Sequence, residues 1–285
     1  MTAPGDGGVM FVLGGGGGPL GAHEVGMLGA LLERGIVPDL VLGTSIGAIN
    51  GAAICAEPSV AGVQRLTRLW SALDRGDVFA GSLLRRATTL ARTRTHLHAN
   101  DPLRALLTNA LPPSFEDLAV PFQCVAASIE QAAEHWFTEG SLVDAVLASA
   151  AVPGLLPPVK IGGEHFVDGG IVNSIPVSRA VTLAARQVFV LHVGRLERAL
   201  EPPRWPWEVG LVAFEIARRH RFFDDLAALP ADIEVHILPT GQPDPPRYTD
   251  LSQLRYRDVS DAPTRIAHAR EATARYLEEH GLGEP

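Results

Sequence analysis

The sequence predicts an α/β domain with three layers, in which helices cover both faces of a mainly parallel central sheet. Three observations lead to this expectation. Short apolar runs alternate along the chain with longer helix-like segments. Apolar residues make up 46% of the chain and charged residues 20%, as in a globular protein. The 285 residues are enough to bury a large core. Because strands that alternate with helices are joined by crossovers, neighbouring strands are expected to run parallel.

The apolar runs predict the strands, and the longer segments between and after them predict the helices. We see no internal repeat, and we expect one domain. The predicted strands are Val9–Leu13, Leu40–Leu42, Phe122–Ala127, Val188–Val193 and Ile233–Leu238. The predicted helices are Ala22–Arg34, Ile46–Ala56, Val60–Leu73, Leu142–Ser149, Val177–Ala185, Val209–Leu229 and Thr264–His280.

Composition excludes several classes of function. A net charge of −8 argues against a dedicated nucleic-acid binder. The two cysteines, Cys55 and Cys124, form neither a disulfide framework nor a metal-ligand cluster, and we expect both in the core. No basic segment precedes an apolar leader, because the first positive side chain is Arg34, and the uncharged runs are too short to span a bilayer. We therefore expect a cytoplasmic protein.

The stretch DLVLGTSIGAING, residues 39 to 51, places Ser45 where a strand passes into a helix. A residue at such a junction has strained backbone geometry, and small neighbours such as Gly43 and Gly47 let the chain pass closely. The turn presents the hydroxyl at a helix start, where free N–H groups favour negative charge. This G-x-S-x-G pattern is typical of the nucleophile elbow of serine hydrolases. The alternative is an ordinary glycine-rich turn with a capping serine.

A second glycine stretch, FVLGGGGGPLGAHEVGML over residues 11–28, also lies between a strand and a helix. Glycine backbone can approach a ligand closely, and successive N–H groups can converge on an anion. One candidate anion is the oxyanion of an acyl-transfer intermediate. Because the loop and the elbow follow successive strands, they are expected to lie side by side. A packing loop without function is the third interpretation.

The other candidate anion is a dinucleotide pyrophosphate, since Gly16, Gly18 and Gly21 fit G-x-G-x-x-G. That interpretation needs an acidic residue at the end of the second strand to bind a ribose. Ser45 follows that end, and Asp39 stands at the other one. The oxyanion role is therefore favoured, and a nucleotide-binding or regulatory protein stays as an alternative.

The nucleophile needs a general base, and the chain offers two kinds. In FVDGGIVNSIPV, residues 166–177, Asp168 precedes two glycines that allow a tight turn to present its carboxylate. A Ser-His-Asp esterase or acyltransferase of the α/β-hydrolase type would instead need His165, His192 or His236 to reach Ser45. An unperturbed aspartate titrates near 3.9 and would be ionised at neutral pH, whereas a histidine base would impose an acid limb near 6.5.

Together these motifs resemble the patatin-like phospholipase family. They appear in the family's order as GGGPLG (16–21), GTSIG (43–47) and DGG (168–170), and the flank SAAVPGLLPPV (149–159) is also similar. The resemblance covers residues 9–185, the expected catalytic core, with residues 186–285 completing the same domain. It implies Ser45 as nucleophile and Asp168 as base, acting on acyl esters of glycerolipids without metal or cofactor. It also implies oxyanion N–H groups on Gly16, Gly17 and Gly18, with motif support from Gly21, Gly43, Gly47, Gly169 and Gly170.

Two positions of the first motif depart from the family. Members commonly carry Arg or Lys just before its last glycine, whereas this chain has Leu20 there, and Pro19 lacks an N–H group. Ester hydrolysis is thus a firmer expectation than phospholipid selectivity.

The segment Gly81–Asn100 carries four arginines between Arg85 and Arg94 and no acidic residue. Basic residues are attracted to anionic lipid surfaces, so this segment is a candidate for peripheral membrane contact. The alternative is a solvated basic loop.

Overall fold

Eight strands form one mixed sheet in the computed structural model, which describes residues 8–16, 18–75, 96–193, 196, 199–242 and 261–284. Hydrogen-bonded neighbours follow the path β5-β6-β3-β2-β1-β7-β8, and β4 also pairs with β3. The strands β1, β2, β3, β7 and β8 pair in parallel, whereas β4, β5 and β6 pair antiparallel. The strands are β1 Val9–Leu13, β2 Leu40–Thr44, β3 Phe122–Ser128, β4 Ala133–Phe137, β5 Val159–Ile161, β6 Glu164–Asp168, β7 Gln187–Leu191 and β8 Glu234–Ile237.

Helices lie on both faces of this sheet. The described ranges contain α1 Ala22–Glu33, α2 Ile46–Ala56, α3 Val60–Arg75, α4 Asp101–Ala110, α5 Leu142–Ser149, α6 Val177–Thr182, α7 Pro206–Ala227 and α8 Ala262–Glu279. Short 3₁₀ helices cover Gly18–Gly21, Phe115–Asp117 and Gly169–Ile171. In the described part of the chain, no helix combines the length and apolar composition needed to cross a membrane.

Two apolar cores separate the layers, as the alternation of side chains along a strand requires. Phe11 and Leu13 of β1 point into the larger core with α1, α2 and α5, whereas Met10 and Val12 point into the smaller one. Phe222 of α7 closes the smaller core. The predicted three-layer α/β class is confirmed.

The sequence missed a helix, α4, and the three antiparallel strands β4 to β6. These strands are short, and polar residues interrupt their apolar pattern: β4 reads AEHWF and β6 reads EHFVD. Their pairing depends on neighbouring strands, because β4 and β6 pair with β3 and β5 pairs with β6, rather than on local propensity, which is weak for such segments.

The antiparallel strand β6 brings two distant chain segments together. β2 pairs with the first half of β3 and ends with Thr44 opposite Val125. β6 pairs with the second half and ends with Asp168 opposite Ala126. Since β4 pairs with Cys124–Ser128 and overlaps both, β2 and β6 must share the other edge of β3. Their carboxyl ends therefore abut.

Candidate active site

Ser45 occupies a strained turn between β2 and α2. Its φ of 54° is in the left-handed region, which an L-residue rarely adopts. Close backbone packing enforces the turn. A Cβ on Gly47 would lie 2.4 Å from the carbonyl oxygen of Leu13, and one on Gly43 would lie 2.8 Å from that of Gly47. The serine therefore lies at the start of α2 because only glycine fits on either side of it.

The hydroxyl of Ser45 donates a hydrogen bond of 2.5 Å to Oδ2 of Asp168, and both side chains are buried. The two residues are 123 positions apart and meet because the ends of β2 and β6 abut. The other carboxylate oxygen, Oδ1, accepts the N–H of Gly170 at 2.7 Å. Gly169 is required because a Cβ there would lie 2.1 Å from the carbonyl oxygen of Val125. Both oxygens of the carboxylate are thus held in fixed directions.

Burial raises the pKa of Asp168 to about 6, although hydrogen bonds from Ser45 and Gly170 favour the ionised form. The expectation that this carboxyl would titrate near the ordinary aspartate value was therefore wrong. An acid limb close to neutrality does not distinguish an aspartate base from a histidine base in this protein.

The glycine loop lies beside the elbow, because β1 and β2 are parallel neighbours with Leu13 opposite Gly43. A Cβ on Gly15 would lie 3.3 Å from Cβ of Ser45. The N–H groups of Gly14 and Gly15 are used by Leu191 and Ser174, with N···O distances of 2.9 and 2.7 Å. The candidate oxyanion donors are thus the glycines that come next.

Gly16 and Gly18 have φ angles of 119° and 36°, so both adopt backbone conformations that favour glycine. Gly17 lies outside the described residues. Gly21 closes the loop, and a Cβ there would lie 2.3 Å from Cγ1 of Ile46 in the first turn of α2. The loop and the elbow are thus packed together at both ends of the loop.

The position of the family's basic residue is apolar here. Leu20 is buried in the core, and its carbonyl oxygen lies 2.9 Å from Nδ1 of His23. A guanidinium approaches from elsewhere in the fold, because Nη1 of Arg265 on α8 donates to the carbonyl oxygen of Pro19 at 3.5 Å. Sequence reasoning did not find this arginine.

The three candidate histidines have partners of their own. Nδ1 of His165 lies 2.7 Å from Glu130, and Nε2 of His236 lies 3.0 Å from Glu234. His192 follows β7, and burial together with the nearby charges of Arg218 and His23 lowers its pKa to about 4.

The dinucleotide interpretation loses its ribose-binding acid. Asp39 precedes β2 at the amino end of the strand, and its Oδ2 accepts the N–H of Val9 at 2.8 Å. The glycine loop follows the carboxyl end of β1, so it lies at the other end of these parallel strands. Across the described ranges, no group of three or more His, Cys, Asp or Glu side chains could hold a metal ion.

Comparison with known proteins decides the family. A family model described as patatin-like phospholipase matches residues 11–181. The chain belongs to the patatin-like phospholipase family. The phospholipases and lysophospholipases of this family are carboxylic ester hydrolases.

Curated relatives of this patatin-like chain are much longer than it is. Lysophospholipase NTE1 from Mycosarcoma maydis is 32% identical over 187 residues, 64% of this chain and 10% of that protein. Patatin-like phospholipase domain-containing protein 7 from Rattus norvegicus is 31% identical over 183 residues, 63% and 13% of the two chains. Neuropathy target esterase sws from Drosophila melanogaster is 31% identical over 182 residues, 63% and 12%. The crystal structure of VipD from Legionella pneumophila aligns with a TM-score of 0.45 and 14% identity, over 95% of this chain and 66% of that one.

Ser149 is a site residue of this patatin-like chain that sequence reasoning missed. It is fully buried at the end of α5, where its Oγ accepts the N–H of Ser45 at 2.9 Å and donates to Val125 O at 2.6 Å. Ser149 therefore connects the strained serine to β3, the strand with which β6 pairs. The only signal in the sequence was its place at the start of the SAAVP flank.

A series of polar contacts also holds the turn that follows Asp168. Arg221 of α7 donates to Val172 O at 2.6 Å and to Glu134 of β4 at 3.1 Å. Glu134 in turn accepts from Nδ2 of Asn173 at 3.1 Å, and Asn173 O accepts the hydroxyl of Thr44 at 2.9 Å. These contacts connect the aspartate turn to the end of β2.

Proposed function

We propose that this chain is a serine acyl hydrolase that cleaves acyl esters of lipids, as a phospholipase or lysophospholipase, through a dyad of Ser45 and Asp168. The observation that carries the proposal is the hydrogen bond of 2.5 Å from the strained, buried Ser45 to a carboxylate. A serine hydroxyl is a weak nucleophile, and an adjacent base activates it. Membership of the family and the printed names of the relatives support lipid esters as substrates.

The reaction follows from this geometry. Oγ of Ser45 attacks the ester carbonyl carbon while Asp168 takes the hydroxyl proton. The resulting oxyanion faces the glycine loop, where the N–H groups of Gly16 and Gly18 are candidate donors. Collapse breaks the bond to the leaving alcohol, which receives the proton from Asp168. A water molecule, deprotonated by the same carboxylate, then hydrolyses the acyl-serine and regenerates the free hydroxyl.

The dyad is favoured over a Ser-His-Asp triad because Asp168 bonds directly to the serine hydroxyl. In a triad the acid orients a histidine and does not contact the nucleophile. Residues 186–285 are proposed to complete the same domain, since β7 and β8 extend the sheet next to β1.

Fluorophosphonate labelling and ester hydrolysis by the purified chain test the dyad. Substrates are phosphatidylcholine, lysophosphatidylcholine and p-nitrophenyl butyrate. Ser45→Ala is expected to abolish labelling, and Ser45→Ala and Asp168→Asn should each lower hydrolysis by several orders of magnitude. Circular dichroism should be unchanged in both variants.

Matched histidine variants separate the two mechanisms. His165→Gln, His192→Gln and His236→Gln should each keep most of the activity. A histidine variant as inactive as Ser45→Ala would establish the triad, and full activity of Asp168→Asn would exclude the dyad. Labelling that persists in Ser45→Ala would move the nucleophile to another serine.

A further inference from the structure

The outer face of α7 carries exposed apolar side chains. Val209, Ala213 and Ile216 are exposed and spaced by four and three residues, so they form one stripe on the helix. The same stripe continues with His220 and Asp224, which pair with each other at 3.1 Å, and with Phe223, which is 50% exposed. A stripe that faces water is expected to be polar, whereas this one carries exposed apolar side chains over most of its length. The first half, residues 205–217, is called here the α7 apolar half.

The acidic side chains of the α7 apolar half are Glu208 and Glu215, and both form contacts within the protein. Oε2 of Glu208 accepts the N–H groups of Arg204 and Trp205 at 2.6 and 3.2 Å, which caps the helix start. Glu215 is buried and pairs with Arg218 at 2.5 Å and with Arg219 at 2.9 Å. Both carboxylates of this segment therefore have hydrogen-bond partners within the protein.

The α7 apolar half contacts the turn that follows Asp168 through Phe214, near the end of the segment. Cζ of Phe214 lies 3.6 Å from the point where a Cβ on Gly170 would stand. Ile171, in the 3₁₀ helix that directly follows Asp168, is 47% exposed. Exposed apolar side chains thus lie both on the aspartate turn and on the adjacent part of α7.

We propose that the α7 apolar half and Ile171 dock on a lipid surface and hold the ester group of a lipid next to Ser45. This rests on the proposed function, because lipid esters are substrates that stay within an aggregated surface. Exposed contiguous apolar patches mark interaction sites, and here the patch adjoins the site that the lipid must reach. Since its exposed side chains are apolar and its carboxylates have partners within the protein, the surface suits a zwitterionic bilayer, and it needs no anionic lipid.

The experiment compares two double variants of the full chain by sedimentation with phosphatidylcholine vesicles. Val209→Gln with Ile216→Gln removes apolar surface from α7, where these residues are 54% and 52% exposed. Val37→Gln with Ile129→Gln is the matched control, at 48% and 50% exposure elsewhere. The α7 pair should weaken vesicle binding by roughly tenfold or more, from the burial of two half-exposed side chains, and the control pair should not.

A probe that barely perturbs the protein provides an independent reading. Cys55 and Cys124 are buried, so Ile216→Cys adds an accessible thiol for an environment-sensitive fluorophore. Its emission should rise and shift to the blue when phosphatidylcholine vesicles are added, whereas the same label at Ile129→Cys should not respond.

The outcomes distinguish this surface from the proposed function. If wild type does not bind these vesicles, or the α7 variant binds them as wild type does, the proposed docking surface is refuted. Binding that needs anionic lipid and weakens with salt would instead indicate the segment Arg85–Arg94, which lies outside the described residues. A dimer abolished by the α7 variant, with vesicle binding unchanged, would mean that a second copy covers the patch. If the α7 variant loses vesicle binding and wild type hydrolyses no ester, the docking surface would be supported and the proposed hydrolase activity would be refuted.

Discussion

The two halves of the dyad are held in place by different means. On the serine side, backbone packs against backbone: glycines at 43 and 47 let the elbow pass within contact distance of β1 and α2. On the aspartate side, Gly169 also packs against the backbone of β3, which leaves the D-G-G motif, but β6 pairs with only three residues of β3 and the rest of the turn is held by polar contacts from Arg221 and Glu134. Local backbone packing requires glycine at fixed spacing and thus leaves a motif, whereas contacts between distant polar side chains leave none.

The largest effect is expected from Gly47→Ala, which disturbs the backbone packing on the serine side. Its new Cβ would lie 2.4 Å from the carbonyl oxygen of Leu13, and that strand backbone cannot move aside. Overpacking of this kind should lower the free energy of unfolding by about 3 kcal/mol, measured by urea denaturation.

The control for this variant is Gly29→Ala, within α1. A Cβ there meets Cγ1 of Val63 at 3.5 Å, an ordinary contact, so replacing glycine in a helix should stabilise by about 0.5–1 kcal/mol. Equal unfolding free energies for the two variants would mean that the elbow is not packed as described.

Ser149 sharpens the comparison because it brings a polar contact to the serine side. In Ser149→Ala the buried N–H of Ser45 loses its acceptor, so the strained turn should be held less firmly. We expect kcat and the rate of fluorophosphonate labelling to fall together by roughly tenfold, with KM unchanged.

The matched variant is Ser71→Ala, which removes a hydroxyl that bonds Thr67 O within α3 at 2.9 Å. It should leave labelling unchanged. If both variants lose stability but label at the wild-type rate, Ser149 is a structural residue and does not position the nucleophile.

This difference explains what could be predicted from the sequence. The strand bounds of β1, the helix bounds of α2 and α5 and the pairing of the loop with the elbow follow from local apolar patterns and glycine. The strand that carries Asp168 could not be recognised, since EHFVD has no clear period and is held in the sheet by its pairing with β3 and β5. Ser149 was not found because a lone serine among apolar residues looks like any other core position. Arg221 was not found because its partners are 49 and 87 residues away.

The pH dependence tests the environment of the aspartate side. Since burial raises the pKa of Asp168 to about 6 and the base acts when ionised, activity should be full above pH 7. Below pH 6, kcat/KM for p-nitrophenyl butyrate should fall about tenfold per unit. An acid limb near pH 4 would show that the carboxyl is solvated. A limb that moves in His192→Gln would assign it to the histidine.

The smallest effect is expected from Arg221→Lys, which tests whether the polar contacts of Arg221 position the aspartate turn. The guanidinium reaches both Val172 O and Glu134, and an ammonium group cannot bond both in the same geometry. The pair is partly exposed, so stability should change by less than about 1 kcal/mol. We expect kcat to fall about threefold at constant KM. Arg275→Lys, in an exposed pair with Glu271 on α8, is the control and should change neither quantity. Identical kcat values for the two variants would show that the contacts around Arg221 do not position Asp168.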